Sequence, residues 1–259
     1  MCELLGLAFN EPVTPRISFR GFRRRGRGNP HGWGLAWFSN GQAEIRKEPA
    51  PADTSAKAGR VQMEEHISSP VFIGHVRFAS CGDPSLANTH PFQRDFRGAP
   101  VVFAHNGTLT KGMLGDLFQL GRFRPEGETD SEEAFCHFLS WMDDQAVSFS
   151  DFARIEDWLR KLNGRGNMNL LFSNGTELFA YRDRGGYNGL CFTYRSAPFA
   201  KVSLVDEDWK VNLAQDKPAS ERGFIVATRP LTDETWINLR PGGLLVLRGG
   251  EAVYGDPRT

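Results

Sequence analysis

Two batches of strand-like runs, with a pair of amphipathic helices between them, predict an α+β layered sandwich rather than a strict βαβ alternation. The first hundred residues carry short apolar or alternating runs bounded by Gly, Pro, Asn or Asp, residues 131–162 carry a helical period, and strand-like runs resume at 168. No internal repeat and no long linker divides the 259 residues, so a single domain over 1–259 is expected.

The strands expected first are CELLGLAF (2–9), GWGLAWF (32–38), AEIRK (43–47), VFIGHVRF (71–78) and PVVFAHN (100–106). Between them, 56–67 reads as a helix. In SEEAFCHFLSWMD (131–143), residues Ala134, Phe135, Phe138, Leu139 and Met142 share one helical face; in 149–162, Phe152, Ile155, Trp158 and Leu159 do the same. MNLLFSNGTELFAY (168–181) reads as a hairpin turning at Asn174 and Gly175, and LCFTYR, FIVAT and LLVLRGGEAVY as later strands. The start of the chain reads as a buried strand, which would lock the N-terminus into a sheet.

Composition narrows the function. Hydrophobic residues make up 40% and charged residues 24%, and 31 Lys plus Arg balance 31 Asp plus Glu. A chain with no net charge has no polyelectrolyte character to favour nucleic acid or an anionic membrane. No apolar run approaches the ~20 residues that span a bilayer, and no signal peptide is evident. Cys2, Cys81, Cys136 and Cys191 are far apart with no CxxC pair, against a zinc ribbon or a dense disulfide framework. A cytoplasmic location with no metal and no organic cofactor is expected. The segment RISFRGFRRRGRG (16–28), with six arginines in twelve residues, reads as a surface loop or a lid over an anionic group, with RNA binding as the alternative.

A few residues carry candidate chemistry. Removal of Met1 would leave Cys2 with both a thiol and a free α-amine, a nucleophile and its base on one residue. Arg77, directly after an apolar strand, has the planar fork to clamp a carboxylate, or is simply solvated or salt-bridged there. Asn106–Gly107 reads either as a hairpin turn or as an amide and a backbone N–H suited to an oxyanion. Asp130 either caps a helix with Glu133 or, if Thr129 caps with Glu132, stands available to a substrate ammonium.

Taken in order, Cys2, HGWGLAWF, GHVRFAS, NTHPF, AHNG and GETDSE resemble the signature series of the class II glutamine amidotransferases. The resemblance runs motif by motif through about the first 140 residues and extends to NMNLLFSNG and VATRPLTDETW, and is strongest to the stand-alone YafJ-type members. It implies a four-layer αββα sandwich of the N-terminal nucleophile hydrolase type. By the same resemblance, Cys2 matches the nucleophile that forms a γ-glutamyl thioester and releases ammonia. Arg77 matches the residue holding the glutamine α-carboxylate, Asp130 the one holding the α-ammonium, and Asn106 and Gly107 the oxyanion donors. Ser80 stands where the family commonly has a threonine lining the glutamine pocket, and Phe78 where it frequently has tryptophan. His90 and His105, within matched motifs, read as structural.

The expected ligand is therefore glutamine or another γ-glutamyl compound. Family members that use the ammonia carry a synthase domain after the glutaminase domain, so the ammonia acceptor is expected to be either missing or a synthase subunit on a separate polypeptide. A stand-alone γ-glutamyl amide or peptide hydrolase and a non-catalytic binding module are the alternatives.

Overall fold

The apolar run at the start of the chain becomes β1 (Glu3–Val13), the middle strand of a sheet paired on both edges. The computed structural model describes residues 1–64, 66–80, 82–110, 112, 114, 115 and 119–255, so that Cys81 lies outside the described residues. After β1 come α1 (Arg16–Arg24), a 3₁₀ turn (Arg25–Gly28), β2 (Trp33–Ser39), β3 (Gln42–Glu48), α2 (Ala56–Met63) and β4 (Ser69–Val76). They are followed by β5 (Phe92–Phe96), β6 (Ala99–Leu109), α3 (Asp130–Asp144), α4 (Phe152–Leu162), β7 (Gly166–Ser173) and β8 (Glu177–Tyr181). The chain continues with β9 (Cys191–Arg195), β10 (Lys201–Ser203), β11 (Lys210–Asn212), α5 (Leu213–Asp216), β12 (Gly223–Ala227), β13 (Ile237–Asn238), β14 (Leu244–Arg248) and β15 (Glu251–Tyr254).

Two antiparallel sheets face each other. One has the order β13-β9-β12-β1-β4-β2-β3 and the other β15-β14-β8-β7-β6-β5, with β10 and β11 as a separate ribbon. Alternation along β1 shows why layers form: Leu5 and Leu7 pack with Phe19, Phe22 and Val61 on the helical side, while Leu4 and Ala8 join Leu171, Leu178 and Ala180 between the sheets. Gly6 lies on the inner side, where a Cβ would come within 2.8 Å of Leu178 Cδ2, so a side chain there would push the sheets apart. Against the outer face of the second sheet, α3 and α4 bury Phe135, Phe138, Leu139, Met142, Ile155, Trp158 and Leu159 on Phe103, Leu170, Phe172 and Phe179. Phe103 stacks on Phe135 at 4.9 Å between centroids. The result is the expected order of helices, sheet, sheet and helices.

Three expectations are corrected. The arginine-rich segment is a helix and a 3₁₀ turn rather than a surface loop: Phe19 and Phe22, three residues apart, anchor one face in the core, while Arg20 and Arg24 on the other bond Glu207. Asn106–Gly107 is not a turn but the interior of β6, in register with Asn169 and Met168 of β7. Glycine is required there because a Cβ on Gly107 would lie 1.9 Å from the Asn167 carbonyl oxygen. The Asn-Gly turn lies instead at Asn174–Gly175, where Gly175 has φ +91° and Asn174 Oδ1 accepts the N–H groups of Thr176 and Glu177. The helix expected over 56–67 stops at Met63, and β5, β10, β11, β13 and α5 are too short to announce themselves by period.

At one end the inter-sheet layer turns polar. His75 of β4 lies opposite Leu4, and its Nε2 donates to the His105 carbonyl at 3.1 Å, while its ring stacks on that of His90 at 4.2 Å. Burial holds the His75 imidazole down to about 3 and drives His90 well below the ordinary histidine range. Both are neutral in the folded chain, whereas in the unfolded chain they take up protons near ~6.5. Below that pH the unfolded state binds more protons, so their contribution to stability is whole above it and erodes as pH falls toward the folded values. Chemical denaturation at pH 7.5 and 5.5 should register a loss of roughly 2–3 kcal/mol from the pair. An unchanged unfolding free energy would contradict neutral burial.

Candidate functional site

Cys2 immediately precedes β1, and the pairing Glu3↔Val76 sets it beside Arg77 at the end of β4. Its thiol donates to the Phe78 carbonyl at 3.2 Å and accepts the Phe78 N–H at 3.1 Å, an extension of the strand pairing through a side chain. Burial pushes the thiol pKa up, against the opposing pull of the Phe78 N–H, the chain-terminal ammonium and the Arg77 guanidinium. Asn188 Nδ2 donates to the Cys2 carbonyl at 2.9 Å, so both sides of the residue are held. Met1 is 63% exposed, and while it is attached the Cys2 nitrogen is an amide without basicity.

The HGWG segment fixes the arginine. His31 N–H donates to the Arg77 carbonyl at 3.0 Å and Arg77 N–H to the Gly32 carbonyl at 2.8 Å. The Arg77 side chain is buried, with Nη2 donating to the Gly82 carbonyl at 2.9 Å. Phe78 is exposed and meets the edge of the His31 ring at 5.2 Å.

From the opposite sheet, Asn106 reaches across to the strand bearing the cysteine. Its Nδ2 lies 3.4 Å from the Thr228 hydroxyl, which itself accepts the N–H of Leu4 at 2.8 Å. Asn169, the register partner of Asn106 on β7, accepts the Asp183 N–H and donates to the Tyr187 carbonyl at 2.7 Å. It thereby anchors the turn that carries Asn188 to Cys2. Asn188 holds φ +52°, which an asparagine tolerates better than most residues.

Thr129, not Asp130, caps α3: its hydroxyl accepts the Glu132 N–H at 3.2 Å. Glu132 does not reciprocate but accepts the Gly127 N–H and pairs with Arg94 at 2.5 Å. Asp130 accepts the Leu109 N–H at 2.6 Å, three residues along β6 from Asn106, and its other oxygen lies 3.4 Å from the Ser131 hydroxyl. That hydroxyl also contacts His105 Nδ1 at 2.8 Å. Burial lowers the His105 pKa, partly opposed by the Asp130 charge and by a bond to the Asn167 carbonyl.

Register and hydrogen bonds thus join Cys2, Arg77 and Asn106 into one end of the sandwich, with Gly107 next in β6 and Asp130 bound to the same strand. Ser80 lies exposed on the loop after β4 and makes no hydrogen bond among the described residues. Thr228, Asn169 and Asn188 escape a search for reactive residues. The signals for them are weaker: a hydroxyl closing the apolar run FIVA, an asparagine between Met168 and Leu170, and an asparagine between Tyr187 and Gly189 in a glycine-rich turn. Among the described residues no group of three or more His, Cys, Asp or Glu side chains has a metal-holding arrangement, and no helix is long and apolar enough to cross a membrane.

Residues 1–258 match the family model described as glutamine amidotransferases class-II. Escherichia coli YafJ is 36% identical over 265 residues, covering 98% of this chain and all of that protein. An uncharacterized protein of Methanocaldococcus jannaschii is 40% identical over 261 residues, covering all of this chain and 72% of its own length. The crystal structure of a predicted glutamine amidotransferase from Pseudomonas aeruginosa superposes with a TM-score of 0.69 at 27% identity, covering 98% of this chain and all of that one. With two sheets packed face to face between helical layers, and Cys2 held beside the strand-end Arg77, this chain belongs to the class II glutamine amidotransferases.

Proposed function

We propose that the protein hydrolyses the side-chain amide of glutamine, or of another γ-glutamyl compound, through a thioester on Cys2. The observation that carries this is the Cys2 thiol bonded to both backbone groups of Phe78, beside the buried Arg77 and linked through Leu4 and Thr228 to Asn106. A free amino acid needs a cation for its carboxylate, an anion for its ammonium, and a nucleophile with oxyanion donors at the far carbonyl. Arg77, Asp130, Cys2 and the Asn106–Gly107 pair supply those types.

In this mechanism Met1 is first removed, which frees the α-amine. The amine takes the thiol proton, and the thiolate attacks the γ-carbonyl carbon to form the C–S bond. Negative charge on the carbonyl oxygen is met by the Asn106 amide and the Gly107 N–H. Collapse breaks the C–N bond, and ammonia departs with the proton held by the α-ammonium. Water, deprotonated by the same amine, then cleaves the thioester to release the γ-carboxylate and restore the thiol.

Burial that raises the Cys2 pKa makes an adjacent base necessary at neutral pH. Processed protein should therefore release glutamate near pH 7, whereas a chain whose methionine is retained, and Cys2→Ala, should show none above background. Equal turnover by the blocked chain would refute the role of the amine, and turnover by C2A the whole mechanism. Intact-mass spectrometry during turnover should detect the acyl adduct on the processed form.

Ground-state and transition-state contacts separate in steady-state kinetics. Arg77→Gln, which removes the charge paired with the substrate carboxylate, should raise KM at least tenfold with a smaller change in kcat. Asn106→Ala, which removes an oxyanion donor, should lower kcat by on the order of a hundredfold or more. The opposite pattern would reverse the two assignments.

A further inference from the structure

The bond that ties the two sheets together beside the nucleophile runs through one hydroxyl, and the proton count at that hydroxyl bears on which end of the Asn106 amide faces the site. Thr228 follows β12 directly, and its N–H donates to the Leu4 carbonyl at 3.2 Å. Its Oγ1 accepts the Leu4 N–H at 2.8 Å and lies 3.4 Å from Asn106 Nδ2. Asn106 is wholly buried, and its Oδ1 has no partner among the described residues. A threonine hydroxyl offers two acceptor positions and a single proton. With Nδ2 turned to Thr228 both acceptor positions are used, while the threonine proton and Oδ1 are each left without a partner.

A half-turn about χ2 exchanges Oδ1 and Nδ2 with little change of shape. Thr228 then keeps the Leu4 N–H, donates its proton to Asn106 Oδ1, and leaves only the amide NH₂ unpaired. An oxyanion site has this character: donors held in place and unsatisfied until charge develops on the substrate. The Leu4 N–H makes the choice one-sided, because it fixes the hydroxyl as an acceptor on one side and so directs its proton to the other.

We propose that Thr228 is a positioning residue for amide hydrolysis, its hydroxyl holding Asn106 by Oδ1 so that Nδ2 is presented to the tetrahedral oxygen. This rests on the reading of Cys2 and Asn106 under Proposed function. Valine has the same shape but neither accepts the Leu4 N–H nor donates to Oδ1, so the amide would lose its bias and an oxygen could face the developing charge. Serine keeps both bonds.

The test is steady-state glutamate release by processed wild-type protein, T228S, T228V, N106A and the T228V/N106A double variant, each first checked for cooperative thermal unfolding. T228V should lower kcat on the order of 10- to 100-fold with KM within about twofold, as expected when a transition-state donor is misdirected. T228S should restore at least a third of wild-type kcat, and the double variant should be no slower than N106A alone, because the threonine acts through the asparagine. If T228V does not fold, T228C, with a thiol that bonds weakly, takes its place with the same expectation. A T228V kcat within twofold of wild type, a loss that serine does not repair, or a double variant slower than N106A by the full single-variant factor would each overturn the assignment. A wild type that releases no glutamate would overturn the reading of the site itself, and this assignment with it.

Discussion

Pairing on both edges holds β1 rigid and sets where every neighbouring group of the site falls. Hydrogen-bonded to β4 on one side and β12 on the other, the first strand cannot fray, and the residue before it is delivered to a fixed point at the sheet end. The same two neighbours bring the other groups. β4 continues into Arg77 and Phe78, which bond or flank the Cys2 sulfur, and β12 continues into Thr228, which reaches Asn106 in the opposite sheet. A chain terminus is ordinarily the least ordered part of a domain; here it is tied down by strands on either side.

Layering supplies the second requirement, a polar site at the edge of a dry interior. Between the sheets the contacts are aliphatic along Leu4, Ala8, Leu171 and Leu178, and at the end near Asn106 His75 and His90 replace them, while His105, on the other face of β6, turns to Ser131 of α3. Burial keeps those imidazoles neutral, so they add no charge near Arg77 or Asp130 to compete for the zwitterionic ligand proposed above. Asp130 is held by the Leu109 N–H and the Ser131 hydroxyl, and α3 begins at it because Thr129 takes over the capping. A carboxylate fixed in this way need not reorganise when a cation approaches.

The arginine-rich segment shows how composition misleads when partners are remote in sequence. Six arginines within twelve residues look like a solvated basic run, yet Arg20 and Arg24 share Glu207, Arg25 is buried against Glu3 and Asp206, and Arg23 bonds Gln62 and the Asp53 carbonyl. Glu207 lies more than 180 residues from the arginines it pairs with, and its carboxyl is held down to about 2 by them. Arg20, Arg24 and Arg25 are neutralised by carboxylates that no local window can see.

Apolar period and residue type alone reveal β1, β2, β4, β6, α3 and α4, together with the ordered motifs that mark Cys2, Arg77, Asn106, Gly107 and Asp130. Those features are legible because period and residue type are local properties. Packing between strands settles that Asn106–Gly107 is strand and not turn, because the Asn167 carbonyl presses against Gly107 from β7. The folded chain alone decided between Thr129 and Asp130 as the cap, and it alone connected Thr228 and Asn188 to the cysteine at the other end of the chain. Hydrogen bonds between residues 186 and 224 positions apart are set by how sheets stack and in what register, and neither leaves a mark on the neighbouring residue types.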